Sequence, residues 1–176
     1  MIEQFTFKRI NVIQDLKSFD CEDPDLNDFF QNESISYTDQ LLAVTYVFED
    51  TTEVASFFTV LNDRISQSDA DKTTFNRLSR PIPNEKRYND FPAVKVGRLG
   101  VNTKYKRKKV GSEMLDFIKG FFTNNNKTGC RFITVDAYNK PAILGFYRKN
   151  SFDLLTVKDE KESTHLMYFD LRSFKR

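Results

Sequence analysis

The stretch VGRLGVNTKYKRKKVGSEML, residues 96–115, decides how this chain is read. Its opening belongs to the run AVKVGRLGV at residues 93–101, apolar and β-branched enough for a strand. Between residues 104 and 109 every residue except Tyr105 is basic, and Gly111 follows shortly after. Val110, Met114, Leu115, Ile118, Phe121 and Phe122 then recur at helical spacing and give a helix one apolar face. A strand therefore passes through a short cationic loop straight into a helix. The first amides of a helix have no internal partners and carry the positive end of its dipole. Such a loop is a natural cradle for phosphate, and surrounding cations strengthen it. Away from a helix start, the same charge run would read as a solvated face.

Downstream, Asn124, Asn125, Asn126 and Gly129 stop the helix, and RFITV at residues 131–135 is the next strand. Pro141 opens a second helix in which Ile143, Phe146 and Tyr147 share a face. Two strands follow, over residues 152–157 and 166–171, joined by a charged turn at 158–163. Upstream, Phe5, Phe7 and Ile10 mark a short opening strand. Asp23 as N-cap and Pro24 at the first helical position predict a helix over residues 24–37, with Leu26, Phe29 and Phe30 inward. LLAVTYVF at 41–48 and VASFFTVL at 54–61 read as an antiparallel pair around the polar turn 49–53. Residues 63–92 are polar, hold prolines at 81, 83 and 92, and contain a short helix over 72–78, so they read as an excursion from the sheet. The expected architecture is α/β (α+β): a mixed central sheet of about six to seven strands with helices on both faces. It forms a single domain over residues 1–176. In such sheets ligands favour the end where a strand runs into a helix.

Composition narrows the classes. With 39% hydrophobic residues and 18 Phe in 176 residues, the chain can bury a real core and is no disordered tail. No run approaches the roughly 20 apolar residues of a membrane span, and MIEQFTFKRI lacks the pattern of a secretory signal. Cys21 and Cys130 lie far apart and outside any C-x-x-C spacing, as expected of two reduced, partly buried thiols in a cytoplasmic protein. No metal site is expected. A net charge of +2 does not by itself announce nucleic-acid binding.

GRLGV followed by Lys106 through Gly111 resembles the acetyl-CoA-binding segment of GNAT acetyltransferases, whose pattern is (Q/R)-x-x-G-x-(G/A). In this register Lys106 takes the Gln/Arg position, Lys109 the first glycine and Gly111 the final small residue. The resemblance implies that the loop residues Lys106, Arg107, Lys108, Lys109, Val110, Gly111 and Ser112 grip the CoA pyrophosphate. It also implies that Leu99, Gly100 and Val101 pair through their backbone with the pantetheine arm. Lys109 departs from the pattern. At a position of positive φ a non-glycine residue costs on the order of 1 kcal/mol, while the lysine adds a cation within reach of a phosphate.

About 25 residues on, Asp136-Ala137-Tyr138-Asn139, Pro141 through Tyr147, and Asn150-Ser151-Phe152 resemble the second GNAT pattern, A-x-N-x-x-A-x-x-F-Y-x-x-x-G-F. Asn139 stands one residue farther from Tyr147 than in that pattern, and Ser151 replaces its glycine. The resemblance implies that Asn139 contacts the cofactor and that Tyr147 protonates the departing CoA thiolate. A phenol of pKa about 10 is a reasonable acid for that step. It further implies direct transfer in a ternary complex, with backbone donors near Val101 polarising the thioester carbonyl. Cys130 has no neighbouring histidine to activate it. Asp136 is a candidate base, although an acid at a strand end is more often structural. His165, the only histidine, lies in the final strand and reads as structural.

Phe19-Asp20-Cys21 through Leu26-Asn27-Asp28-Phe29-Phe30, with the VGRLGV strand, resembles the GNAT branch of toxins that acetylate aminoacyl-tRNA, so the likeness spans most of the chain. The expected activity is N-acetylation of a primary amine from acetyl-CoA. A protein, a small molecule or an aminoacyl-tRNA is the acceptor, and the resemblance adds an antitoxin partner and a homodimer through the late strands. A tRNA acceptor needs several phosphate contacts, yet most clustered cations fall in the presumed CoA loop. Lys109 raises the alternative of a degenerate, non-catalytic CoA-binding module. A domain that only bound nucleic acid would leave residues 139–152 unexplained.

Overall fold

The computed structural model describes residues 1–82, 88–156 and 162–174. Among them seven strands form one mixed sheet in the order β1-β2-β3-β4-β5-β7-β6. They are β1 Thr6–Arg9, β2 Val44–Glu49, β3 Val54–Ser66, β4 Asp90–Val101, β5 Phe132–Tyr138, β6 Asp153–Leu154 and β7 Thr164–Asp170. The helices are α1 Pro24–Asp28, α2 Ser34–Asp39, α3 Lys72–Ser79, α4 Val110–Thr123 and α5 Pro141–Lys149. A π turn, Phe29–Glu33, joins α1 to α2. The expected mixed sheet is present with seven strands. The chain packs as two compact units, Met1–Leu61 with Val96–Ile118, and Asn62–Lys95 with Lys119–Arg176.

In the first unit β1, β2 and the start of β3 are antiparallel, with Phe7 opposite Phe48 and Val47 opposite Phe57. Successive strand residues point to opposite faces, and Phe57 and Phe58 show what each face meets. Phe57 packs on Phe19, Phe29 and Phe30 of the α1 segment, with ring centroids 5.1, 6.4 and 4.8 Å away. Phe58 packs on Phe7 and Tyr46, and Phe7 and Phe48 meet Phe117 of α4 at 4.6 and 4.9 Å. Helices therefore cover both faces here. Asp23 caps α1 by accepting from the amides of Asp25 and Leu26, with Pro24 in the first turn, as its sequence requires. Gly100 closes this core: a Cβ there would lie 2.6 Å from Phe57 Cε1 and 3.0 Å from Phe19 Cζ. Gly100→Ala is expected to destabilise the fold by about 2 kcal/mol, the cost of overpacking, measurable as a lower midpoint in urea.

In the second unit β5 runs antiparallel to β7, from Phe132 opposite Asp170 to Tyr138 opposite Thr164. β4 joins β5 in parallel over Ala93–Lys95 and Phe132–Thr134, and Val96–Val101 continue beyond that ladder. On one face Phe75 of α3 stacks on Phe91 at 5.0 Å, and Phe132 and Tyr168 extend the cluster. On the other, Phe169 meets Phe152, and the Lys119 ammonium of α4 lies 4.7 Å from the Phe169 ring centre.

Several boundaries differ from those the sequence suggests. The strand expected from Leu41 begins at Val44, because α2 ends in a turn with Leu41 at φ 59° and the Leu42 and Ala43 amides both on the Tyr37 carbonyl. β3 runs on to Ser66, past its expected end at Leu61 and into the expected excursion: Asn62 and Arg64 are exposed while Ile65 is buried, an alternation hidden by polar composition. β4 begins at Asp90 and includes Pro92, whose carbonyl accepts from the Arg131 amide at 2.8 Å. β6 is reduced to two residues, and Leu171 lies in a 3₁₀ turn after β7. Pro83, Val157 and the part of the charged turn at 158–161 lie outside the described residues.

Candidate active site

The cationic loop is fixed by Asn102, a buried residue that the sequence reading passed over. Its amide donates to the Ala55 carbonyl at 2.9 Å and its side-chain amide to the Val54 carbonyl at 3.0 Å. Its Oδ1 accepts from the Lys104 amide at 3.2 Å, the local bonding that makes asparagine a turn former. An asparagine immediately after a strand was the available signal. Lys104 pairs with Glu53, which also accepts from the Tyr105 hydroxyl at 3.1 Å.

Beyond this anchor the loop divides its residues by task. Lys106 is engaged locally: its amide donates to Thr103, and its ammonium reaches the Cys21 carbonyl at 2.6 Å and Glu22 at 2.8 Å. The Lys108 amide donates to Tyr105, and its ammonium lies over the Tyr105 ring. Arg107 and Lys109 are exposed and, among the described residues, make no ion pair, although the Lys109 charge helps to hold the Glu113 carboxyl down. Both stand in the left-handed region, at φ 61° and 65°. The loop thus takes up the backbone shape that favours glycine without having glycine there. Helical bonding in α4 starts with the Glu113 amide on the Lys109 carbonyl at 3.0 Å. Among the described residues the preceding amides of Lys109, Val110, Gly111 and Ser112 make no hydrogen bond of ordinary length and angle. Four successive donors beside two exposed cations form an anion-binding arrangement.

Leu99, Gly100 and Val101 lead into this loop from the end of β4. Gly100 has a structural reason to be glycine, its contact with Phe57 and Phe19, beside the backbone role the resemblance implies.

Tyr147 lies on α5, half-buried, with its ring edge-on to Phe146 at 5.2 Å and to Phe152 at 5.5 Å. Among the described residues its hydroxyl has no hydrogen-bond partner. Burial pushes its pKa up from 10.0 to about 12, so the phenol stays protonated through the physiological range. Asn139 is exposed and tied to the start of β7, its amide on the Ser163 carbonyl at 2.9 Å and its side chain on the Glu162 carbonyl at 3.0 Å. Asp136, the candidate base, is paired with Lys95 at 2.8 Å. Burial opposes the charge on Lys95, but the Asp136 and Asp63 carboxylates outweigh it and raise that pKa. His165 is buried in β7 opposite Ala137. Cys21 and Cys130 are both free and buried, and burial pushes the Cys21 thiol up, away from the reactive thiolate. Among the described residues no cluster suits a metal ion, and no helix is long and apolar enough to cross a membrane.

The architecture is the GNAT fold. AtaT complexed with acetyl-methionyl-tRNAfMet matches this chain with a TM-score of 0.76 at 17% identity, over 96% of each chain. A tyrosine-to-phenylalanine mutant of KacT matches with a TM-score of 0.73 at 20% identity, again over 96% of each chain. AtaTR bound with AcCoA matches at 0.74 and 18% identity, over 96% of this chain and 95% of that one. At such identities the likeness is one of fold. No protein-family model matches the chain, and no curated protein matches it in sequence.

Proposed function

We propose that this protein is an acetyl-CoA-dependent N-acetyltransferase. The observation that carries the reading is the loop: the amides of Lys109, Val110, Gly111 and Ser112 open α4 beside the exposed cations of Arg107 and Lys109. These groups hold the pyrophosphate of acetyl-CoA as co-substrate, and backbone groups of Leu99, Gly100 and Val101 hold the pantetheine. Lys106 and Lys108 shape the loop more than they contact the ligand, since their amides and ammonium groups are already engaged. Asn139, tied to β7, has the smallest share in cofactor binding.

The acceptor amine attacks the thioester carbonyl carbon. A C–N bond forms, the C–S bond breaks, and the electron pair leaves on sulfur. Tyr147 gives its proton to that thiolate. A phenol of pKa about 12 is a weak acid in water, but the burial that raises it also raises a thiol beside it, which narrows the gap between them. The proton lost by the amine passes to water, and the Tyr147 phenolate regains one from water, which restores the enzyme.

For the acceptor, the reading favoured by the fold neighbours is the amino group of an aminoacyl-tRNA, because AtaT is complexed with acetyl-methionyl-tRNAfMet. A protein or small-molecule amine is the alternative. An antitoxin is the corresponding partner, as AtaT is bound to the C-terminus of the antitoxin AtaR. The test is release of free CoA thiol from acetyl-CoA with aminoacyl-tRNA, a lysine peptide and a small amine. Release dependent on one acceptor supports transfer, and none with any acceptor refutes it.

A second reading, a non-catalytic CoA-binding module, is prompted by the lysine at φ 65°. Because that conformation is already adopted, Lys109→Gly exchanges relieved strain for a more flexible unfolded chain, and stability should stay within about 0.5 kcal/mol. Removing the cation should weaken acetyl-CoA binding about fivefold, less so at high salt. Calorimetry that shows tighter binding in the glycine variant would favour the module.

A further inference from the structure

We propose that Arg98 is an acceptor-binding residue whose guanidinium takes a phosphate of a nucleic-acid acceptor next to its aminoacylated 3′ end. The proposal rests on the transferase reading and deepens it by assigning recognition of the acceptor. Arg98 lies on β4 one residue before Leu99, and alternation puts its side chain on the face that Gly100 turns towards Phe57 and Phe19. There the Phe29 ring centre lies 5.0 Å from the guanidinium carbon. Phe29 opens the π turn, a wide turn that carries Phe29 and Phe30 together into the core. The ring is backed by Phe57 and so is a fixed platform. π turns inside helices recur at functional sites.

The hydrogen bonding of this arginine is incomplete. Nη1 donates to the carbonyl of its neighbour Gly97 at 3.2 Å. Nε is buried and, among the described residues, has no hydrogen-bond partner. The nearest acid, Asp25, stands 4.0 Å from Nε, outside hydrogen-bond range, and its side chain is 68% exposed. Nε is shut off from solvent, so the 37% of the Arg98 side chain that is open to solvent lies on its other atoms. The terminal nitrogens of a stacked guanidinium are suited to donate to an oxyanion. Of the acceptor classes considered, an aminoacylated RNA end always carries a phosphodiester one nucleotide from the reacting amine, whereas a peptide or small amine need carry no anion. Asp25 is then a competing carboxylate that screens out weak anions.

The test is fluorescence anisotropy of a deacylated RNA minihelix with a single-stranded 3′ end, without acetyl-CoA, so that it does not depend on turnover. Arg98→Gln should bind about tenfold more weakly, with a salt slope lower by about one. Arg98→Lys should fall between, and Asp25→Asn should bind severalfold tighter. Unchanged acetyl-CoA affinity and melting temperature exclude misfolding. If Arg98→Gln unfolds, the Lys and Asp25→Asn variants decide alone. In turnover, Arg98→Gln should raise KM about tenfold for aminoacyl-tRNA and leave KM for aminoacyl-adenosine, which has no phosphodiester, in place. Wild-type affinity and slope in Arg98→Gln, no RNA binding by wild type, or an equal rise in KM for both acceptors would each overturn the proposal. Failure to acetylate any acceptor would refute the transferase reading and leave the anisotropy result to judge Arg98.

Discussion

Gly111→Glu is expected to abolish acetyl-CoA binding, lowering affinity by at least about 100-fold. Position 111 is the second residue of α4, inside the row of amides from Lys109 to Ser112 that precede the first helical bond. A carboxylate there accepts from the same donors that would hold the pyrophosphate and repels its charge. Three effects act together, loss of the amide hydrogen bonds, loss of the field of the helix start and repulsion of the pyrophosphate by the new charge, each of order 1 kcal/mol or more. The fold should survive, because glutamate is a better helix former than glycine and an acid is favoured in the first turn. An equal or higher melting temperature with lost binding is therefore the expected pair of results. Binding preserved in a folded Gly111→Glu variant would show that the nucleotide lies elsewhere.

Tyr147→Phe should lower kcat by roughly 10²–10³ while leaving acetyl-CoA affinity within about twofold, since proton donation acts in the transition state. The substitution removes no hydrogen bond to a described residue and keeps the ring contacts with Phe146 and Phe152, so a fall in rate could not be blamed on packing. It also has a signature in stability. The folded-state pKa of Tyr147, about 12, lies above the ordinary 10.0. The neutral phenol is favoured by folding, so the associated stability is complete below pH 10 and is lost as pH rises towards 12. Melting temperature should therefore fall more steeply over that interval in wild type than in the phenylalanine variant. A kcat reduced less than threefold would mean the thiolate finds its proton in water.

Much of this was legible in the sequence because the deciding residues are local. A strand, a cationic loop and a helix follow one another within residues 96–115, and Asp23 with Pro24 specifies its own helix start. What was hidden depends on contacts between distant residues. Leu41 and Leu42 look like strand residues, but both are exposed at the end of α2, because helix termination claims the backbone there. Asn62, Asp63 and Arg64 look like loop, but they continue β3. No pattern in the sequence says that Lys106 reaches back to Cys21 and Glu22, or that Gly100 is glycine to admit Phe57. The five basic residues between 104 and 109 suggest one undivided anion site, yet among the described residues Lys104 and Lys106 are held in ion pairs and Lys108 lies over Tyr105, while Arg107 and Lys109 make no ion pair. Arg98 was legible as part of a strand but not as a residue with an unmade hydrogen bond.

The measurement closest to the central claim is a calorimetric titration of the wild-type protein with acetyl-CoA, repeated with 3′-dephospho-CoA and with pantetheine. Micromolar binding of both pyrophosphate-bearing ligands, weakened by salt, is expected, with at least about 100-fold weaker binding of pantetheine. Absence of heat with acetyl-CoA, or equal affinity for pantetheine, would contradict that claim.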